Sequence, residues 1–155
     1  MVTSAGLLMY RFIGSELEYF LVHPGGPIFT NKDEGYWGIP KGILDDGEDL
    51  LIAAKREFEE ETGIKPNHES FIFLGSVIQR NNKEVYAWAF EGLPGELPEI
   101  VSNLFEMEWP YKSGKRKSFP EIDRGKYFNR VEALQKIYIA QADFIYRLNE
   151  KLKVN

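Results

Sequence analysis

The sequence contains no cysteine and only two histidines, and both scarcities limit the chemistry that the chain can support. Without cysteine there is no disulfide framework, no thiolate metal site and no cysteine nucleophile. A metal site would have to be built from carboxylates, which are hard oxygen ligands that suit Mg²⁺ or Mn²⁺ better than Zn²⁺. Positive charge is also outnumbered, because 19 lysine and arginine residues stand against 24 acidic residues and the formal net charge is −5. This balance argues against a duplex nucleic acid as partner.

Long apolar runs are missing as well. Near the N-terminus the apolar run covers only residues 7–10 before Arg11. Such a run is too short for the core of a signal peptide or for a membrane span, so we expect a cytoplasmic protein without a membrane partner. The 155 residues are 43% hydrophobic and 14% aromatic, which indicates a folded chain. We found no internal repeat or linker, and predict a single domain over 1–155.

Turn residues and strand-like runs predict two hairpins. The first turns at Gly14–Ser15 and the second at Asn81–Asn82. The four predicted strands cover residues 5–12, 17–23, 71–79 and 84–91.

Two helices are predicted. Residues 49–62 contain good helix formers with no glycine or proline, and Gly63 followed by Pro66 marks the end of this helix. From Val131 to the end of the chain, apolar residues recur at helical spacing and predict one amphipathic helix. These apolar residues are Leu134, Ile137, Tyr138, Ile145, Leu148 and Leu152.

The part between the second hairpin and the C-terminal helix has weaker signals. Residues 92–103 contain two prolines and two glycines and predict a loop. Residues 104–109 predict a short strand, and the basic segment 112–118 predicts a second loop. Strands that flank a helix, followed by more strands and another helix, are typical of an α/β sandwich around a mixed sheet.

The most specific pattern runs from Gly42 to Ile64. It consists of Gly42, five residues, Glu48, seven residues, and then the letters REFEEETGI from Arg56 onward. A chance match to this set of fixed positions has a frequency on the order of 10⁻⁸ per starting position, given ordinary residue usage. The pattern is therefore a strong signal.

On a helix the acidic residues of this pattern fall on one side. With 3.6 residues per turn, Glu57, Glu60 and Glu61 share a face, next to an apolar stripe that would pack on a sheet. The like charges weaken an isolated helix by roughly 0.2–0.5 kcal/mol per pair, and a bound divalent cation would reverse that penalty. The simpler interpretation is a solvated acidic face. The stripe consists of Leu51, Ala54 and Phe58.

The pattern from Gly42 to Ile64 resembles the signature of the Nudix hydrolases, which cleave nucleoside diphosphates linked to another group. The resemblance implies the Nudix fold, a three-layered α/β/α sandwich around a mixed sheet. It further implies that Glu57, Glu60 and Glu61 bind two or three Mg²⁺ ions and activate water, with Glu57 acting as general base or as ligand.

The resemblance also assigns supporting roles around these acids. Arg56 and Glu48 match the pair that buttresses the loop before the helix. Gly42 would let the backbone approach the metal, with the carbonyl of Lys41 as a further ligand. Gly63 completes the pattern.

Nudix enzymes often draw one more carboxylate from a loop ahead of the last strand. Glu121, six residues before Tyr127, has the expected spacing. The alternative interpretation of Glu121 is an ordinary loop acid. The competing acids are Glu106, Glu108 and Asp123.

The segment from Trp37 to Gly42 resembles the entry to this pattern in the dinucleoside polyphosphate hydrolases, where the lysine lies beside the polyphosphate. We therefore assign Lys41 to substrate binding. The basic segment with Lys115, Arg116 and Lys117 would embrace further phosphates, or is a solvated turn. The long 92–120 region departs from this branch.

Several aromatic residues are candidates for stacking on a base, and Trp37 and Phe119 are favoured because both are predicted to lie in loops near phosphate contacts. His23, before a Pro-Gly-Gly turn, is interpreted as a strand-end residue rather than a catalyst. The other aromatic candidates are Tyr86, Trp88 and Trp109.

Three functional hypotheses follow. The first is Mg²⁺-dependent hydrolysis of a dinucleoside polyphosphate such as diadenosine tetraphosphate. The second is hydrolysis of another nucleotide: a nucleoside triphosphate, ADP-ribose or the 5′ end of RNA. The third is a non-catalytic nucleotide-sensing module, which usually has a lost acidic residue or an added DNA-binding domain. A monomer and a homodimer are equally compatible with the sequence.

Overall fold

The computed structural model describes residues 1–66 and 68–154. Within these described residues, eight strands and three α-helices follow one another, with short 3₁₀ turns at Arg80–Asn82 and Ile139–Gln141. The elements are β1 (Val2–Ile13), β2 (Glu16–Pro24), β3 (Lys41–Ile43), α1 (Leu50–Thr62), β4 (Ile72–Gln79), β5 (Lys83–Glu91), β6 (Leu104–Glu108), β7 (Arg116–Pro120), β8 (Ile122–Asn129), α2 (Arg130–Lys136) and α3 (Ala142–Leu152).

A mixed sheet forms the centre of the molecule. Its strands lie in the order β4-β5-β1-β2-β8, and β3 also pairs with β1. The pair β1–β5 is parallel and the other pairs are antiparallel. Both predicted hairpins are confirmed, and positive φ angles at Gly14, Asn81 and Asn82 produce their turns.

The sheet is covered on both faces, which explains why β1 is continuously apolar rather than alternating. Alternate β1 residues belong to two separate buried clusters: Leu7 and Met9 pack on the side of α1, and Leu8 and Tyr10 on the side of α2 and α3. The α/β/α sandwich is thus confirmed. None of the helices described in residues 1–66 and 68–154 is long and apolar enough to span a bilayer.

Helix α1 begins and ends close to the predicted positions. The side chain of Asp49 accepts hydrogen bonds from the amides of Leu51 and Ile52, at 3.1 and 3.2 Å, and so caps the first turn. Gly63 adopts a left-handed conformation with φ of 76° and donates its N–H to the carbonyl of Glu59. These two caps fix the register of the acidic face between them.

The prediction of one continuous C-terminal helix is wrong. Helix α2 ends at Lys136, and Ile137 is extended because it pairs with Trp37. The amide of Tyr138 donates to the carbonyl of Trp37 at 2.7 Å, and the carbonyl of Lys136 accepts from the amides of Gly35 and Trp37. The chain leaves the helix in order to form these long-range hydrogen bonds.

The basic loop predicted over 112–118 is also corrected. Residues from Arg116 onward form β7, which pairs antiparallel with β6, so the turn is shorter than predicted. The cross-strand pair Phe105–Phe119, with ring centroids 6.0 Å apart, stabilises this hairpin. Phe119 and Lys117 therefore lie on a strand and not in a loop.

Replacing Asp49 with alanine should lower the free energy of unfolding by about 1 kcal/mol, because two amides of the first turn lose their acceptor. Urea denaturation measures the change. Asp46→Ala, which removes a nearby exposed acid, is the control and should change stability by less than about 0.5 kcal/mol. Equal effects of the two substitutions would contradict the assignment of the cap.

Candidate active site

The acidic face of α1 lies beside β3, and a glycine makes this contact possible. A Cβ atom placed on Gly42 would overlap the carboxylate of Glu57. Any side chain at position 42 would therefore displace Glu57 or move β3 away from α1. The glycine of the motif makes room for a carboxylate in this structure.

Arg56 and Glu48 form a bidentate ion pair. The Nε and Nη2 atoms of Arg56 donate to Oε2 and Oε1 of Glu48 at 2.8 and 2.9 Å. Glu48 also accepts the amide N–H of Asp45 at 3.1 Å. The hydrogen bonds from Arg56 are the main reason why the pKa of Glu48 is lowered to about 2. This geometry supports the predicted buttress of the loop before α1.

Arg56 also reaches the other acids of the helix. Its Nη1 atom donates to Glu57 at 2.9 Å and to both oxygens of Glu60 at 3.2 Å. One guanidinium thus offsets the repulsion among neighbouring carboxylates. Burial nevertheless raises the pKa of Glu57, while the hydrogen bond from Arg56 acts in the opposite direction.

Glu61 is the most deeply buried of the predicted ligands. Its Oε1 atom accepts the backbone N–H of Lys41 at 3.1 Å, and burial raises its pKa to about 8. Burial also lowers the pKa of the Lys41 ammonium, and the charge of Glu61 opposes this change. The structure thus places Lys41 against Glu61 through its amide; the role of its carbonyl as a metal ligand stays a prediction.

Glu121 lies between β7 and β8, and hydrogen bonds hold its backbone on both sides. Its amide donates to the carbonyl of Asn103 at 2.9 Å, and its carbonyl accepts from the amide of Gly25 at 2.8 Å. Burial and the charge of Glu60 raise the pKa of Glu121. In turn, the charge of Glu121 raises the pKa values of Glu57 and Glu61.

The three competing acids have other surroundings. Asp123 contacts His23 at 2.8 Å, and Glu108 accepts the amide of Lys112. Glu106 lies on β6 opposite Ser118. Geometry therefore favours Glu121 over Glu106, Glu108 and Asp123.

The candidate ligands have the chemistry that a hard divalent cation prefers, because all of their side chains are carboxylates. They are also close enough for the charge of one to raise the pKa of another. Within residues 1–66 and 68–154, however, no three acidic or histidine side chains converge as ready-made ligands. Glu57 and Glu60 point to Arg56, and Glu61 points to the Lys41 amide. Cation binding would require these carboxylates to exchange partners.

A cavity of about 1030 Å³ adjoins these acids. Among the predicted residues, Glu61, Glu121, Lys41 and Trp37 line it. Lys115, Lys117 and Phe119 belong to the β6–β7 hairpin, which reaches the cavity through Phe105. Their contact with substrate remains a prediction.

Trp37 is only 4% exposed and forms part of the cavity wall. Its Nε1 atom donates to Asp33 at 2.8 Å, and its ring meets His23 and Phe128 edge to face. Arg124 lies over the ring, 5.2 Å from its centroid. The indole is held firmly, and stacking on a base stays a prediction.

His23 is fully buried at the end of β2. Its Nδ1 atom lies 2.8 Å from Asp123, and Nε2 lies 2.6 Å from the carbonyl of Lys32. Both ring nitrogens are engaged in holding neighbouring segments. This agrees with the interpretation of His23 as a strand-end residue.

Several residues of the cavity wall were not found by the sequence analysis. They come from segments far apart in the chain, and no local spacing connects them. The one feature of the sequence that could have indicated some of them is the presence of aromatic residues outside the predicted strands and helices. The missed residues include Phe29, Tyr36, Gln79, Arg80, Phe105, Tyr138 and Gln141.

Comparison with known proteins identifies the family. The NUDIX domain family matches residues 5–147. The RNA pyrophosphohydrolase of Bartonella bacilliformis is 31% identical over 123 residues, which cover 71% of this chain and 66% of that protein. The asymmetrical bis(5′-nucleosyl)-tetraphosphatase of Caenorhabditis elegans is 38% identical over 63 residues, 41% of each chain.

Solved structures show the same fold. The binary complex of C. elegans Ap4A hydrolase superposes with a TM-score of 0.67 at 21% identity, covering 99% of this chain and 98% of that one. The NUDIX domain of Shewanella oneidensis NrtR complexed with ADP ribose has a TM-score of 0.66 at 15% identity, covering 98% and 88%.

The chain therefore belongs to the NUDIX family, which confirms the resemblance in the segment Gly42–Ile64. The matched regions span 66% and 41% of the two curated relatives, less than two thirds of their lengths. The family is typically dependent on divalent metal ions, in agreement with the all-carboxylate donor set.

In metal-free buffer, the buried Glu61 should make stability fall as pH rises. Folding raises its pKa from 4.5 to about 8, so the folded state binds more protons than the unfolded state between these values, and stability decreases across that window. Glu61→Gln should reduce the decrease, with Glu57 and Glu121 contributing the remainder.

Thermal unfolding from pH 5 to 9 in EDTA measures this dependence. Glu59→Gln is the matched control, because Glu59 is an exposed acid on the same helix. An identical pH profile for Glu61→Gln and the wild type would refute the assignment.

Proposed function

We propose that this protein is a Mg²⁺-dependent hydrolase of a pyrophosphate bond in a nucleoside diphosphate linked to another group. The observation that carries the proposal is the grouping of Glu57, Glu60, Glu61 and Glu121 beside a cavity of about 1030 Å³. Such a cavity is in the size range of small-molecule sites. Mn²⁺ is an alternative cofactor with the same ligand preference.

Each acid has a role in this proposal. Glu57, Glu60, Glu61 and Glu121 would hold the cations, which when bound neutralise the diphosphate and lower the pKa of water. One of the carboxylates accepts the proton of the attacking water, and Glu57 serves either as this base or as a ligand. Lys41 supplies a positive charge to the phosphates from the cavity wall.

The favoured substrate is a dinucleoside polyphosphate such as diadenosine tetraphosphate. The segment Trp37–Gly42 supports it, and the similar C. elegans tetraphosphatase carries that substrate class in its name. A second candidate is the 5′ end of RNA, because the B. bacilliformis relative is an RNA pyrophosphohydrolase.

The β6–β7 hairpin carries a basic residue, Lys117, that would contact the outer phosphates of a long polyphosphate substrate. In its register Phe105 pairs with Phe119 and Met107 pairs with Lys117, so these residues share one face. Phe105 lines the cavity, which places Lys117 farther out on the same face. Arg116 pairs with Glu108 on the opposite face.

Glu60→Gln and Glu61→Gln should each abolish turnover while the fold stays intact, since an amide is a poorer ligand and a poorer base than a carboxylate. Chromatography of the nucleotide products formed from diadenosine tetraphosphate with Mg²⁺ measures turnover, and circular dichroism measures whether the fold is intact. Glu59→Gln should keep wild-type activity. Near-normal rates in both site variants would exclude the proposal.

Lys117→Glu should raise the KM for a tetraphosphate substrate about two- to fivefold with little change in kcat, because an exposed charge contributes modestly to binding. Arg116→Glu is the control with the same charge change on the other face. Steady-state kinetics with diadenosine tetraphosphate measure both variants. Equal KM increases would show that only net charge matters.

A further inference from the structure

Two glutamine side chains join a backbone amide to the cavity wall. The Oε1 atom of Gln141 accepts the N–H of Ile39 at 2.9 Å, and the Nε2 atom of Gln141 donates to Oε1 of Gln79 at 2.7 Å. Gln141 and Gln79 both line the cavity. We call this chain of hydrogen bonds, from Ile39 through Gln141 to Gln79, the amide relay.

The relay has a fixed direction. The N–H of Ile39 can only donate, so the side chain of Gln141 must present its oxygen to it. Its nitrogen then donates to Gln79, which must accept with its own oxygen. The NH₂ of Gln79 takes no part in the relay, and it is a donor carried by a residue that lines the cavity.

Tight packing maintains the orientation of Gln141. This residue is only 3% exposed. A Cβ atom on Gly38 would lie 2.9 Å from its Oε1 atom, so the absence of a side chain at position 38 gives the amide its place. Flipping the amide would place its NH₂ against the N–H of Ile39, leaving buried donors without acceptors.

The neighbouring residue extends the same polarity. Arg80 follows Gln79 in the chain and also lines the cavity, and its guanidinium has donors only. This end of the cavity is therefore lined by two consecutive residues whose side chains carry donor groups. Its wall also contains Ile39, Ile137 and Tyr138, which suit the face of a heteroaromatic ring better than a phosphate.

We propose that Gln79, positioned by Gln141, selects a 6-oxopurine base over adenine in the cavity. A 6-oxopurine presents O6 and N7, two adjacent acceptors, to the two donors. Adenine presents its 6-amino group beside N7, so one donor would face another donor. This inference rests on the proposed nucleotide hydrolase function and refines its substrate: within the dinucleoside polyphosphates it favours a 6-oxopurine base over the adenine of diadenosine tetraphosphate.

The location is compatible with a nucleotide bound at the acidic site. The relay begins at Ile39, two residues before Lys41. In extended chain these two residues are separated by roughly 7 Å. A base contacting Gln79 and a phosphate near Lys41 would thus occupy one cavity.

Binding of inosine and adenosine monophosphates by isothermal titration calorimetry tests the preference, since these bases differ at position 6 and in the protonation of N1. The wild type should bind the inosine nucleotide at least about fivefold more tightly, because a mismatched donor remains unpaired. Gln79→Glu keeps an acceptor for Gln141 but replaces the donor with an acceptor, and should reverse the preference. Gln79→Leu should abolish it.

Gln141→Glu tests the positioning role. The glutamate can still accept from Ile39 but cannot donate to Gln79, so the Gln79 amide becomes free to turn and the two Kd values should approach each other. Asn82→Asp places the same charge on the turn of the same hairpin, outside the cavity lining, and should retain the wild-type ratio. A uniform charge repulsion would change the Kd values of both nucleotides by the same factor, so it does not affect their ratio.

Equal Kd values in the wild type, an unchanged ratio in Gln79→Glu, or no binding of either nucleotide would overturn the inference. Turnover separates it from the proposed function. Equal hydrolysis of diinosine and diadenosine tetraphosphates with Mg²⁺ would overturn the base preference alone. Base preference without hydrolysis of any polyphosphate would overturn the proposed function alone.

Discussion

The bidentate pair of Arg56 and Glu48 is the interaction on which the candidate site depends. Helix α1 presents Glu57, Glu60 and Glu61 on neighbouring turns, and without a bound cation their charges repel one another. Arg56 contacts two of these acids, and Glu48 holds its guanidinium in place with hydrogen bonds of 2.8 and 2.9 Å. The same pair fixes the loop that leads from β3 into α1, so the electrostatics of the site and the local backbone are set together.

Close backbone approach is the second constraint. Gly42 makes room for the Glu57 carboxylate, and Gly38 makes room for the Gln141 amide. Both glycines belong to the segment from Trp37 to Gly42, which crosses from the α2–α3 side of the molecule to the acidic face. The two glycines thus make room for polar side chains that come from two different helical regions. A methyl group at position 42 would disturb Glu57, and one at position 38 would disturb Gln141.

The sequence was sufficient for those features that local patterns determine. Helix α1, its end at Gly63 and both hairpins of the main sheet agree with the structure, because turn residues, a glycine stop and apolar spacing act over a few residues. The spacing of Glu121 led to an acid whose charge raises the pKa values of Glu57 and Glu61, and its role as a ligand stays a prediction. The break at Ile137 was not predicted, because its apolar spacing continues through a segment that leaves the helix to pair with Trp37. Strand β7 was missed for a similar reason: its pairing with β6 decides its conformation, whereas its own composition of Arg, Lys and Ser does not favour a strand.

The break in the helix at Ile137 also shapes the cavity, whose lining residues no local pattern connects. A continuous helix beyond Lys136 would leave the carbonyl of Trp37 without the amide of Tyr138 and would carry Gln141 away from Ile39. Interruption of the helix therefore holds the segment before Lys41 against the sheet and brings Gln141 to Gln79. The polar wall of the cavity and the position of Lys41 beside Glu61 depend on the same few long-range hydrogen bonds. The bonds at Trp37 and Ile39 join residues about a hundred positions apart, and those at Gln79 and Lys41 span 62 and 20 positions. They can be recognised only after the chain has been folded.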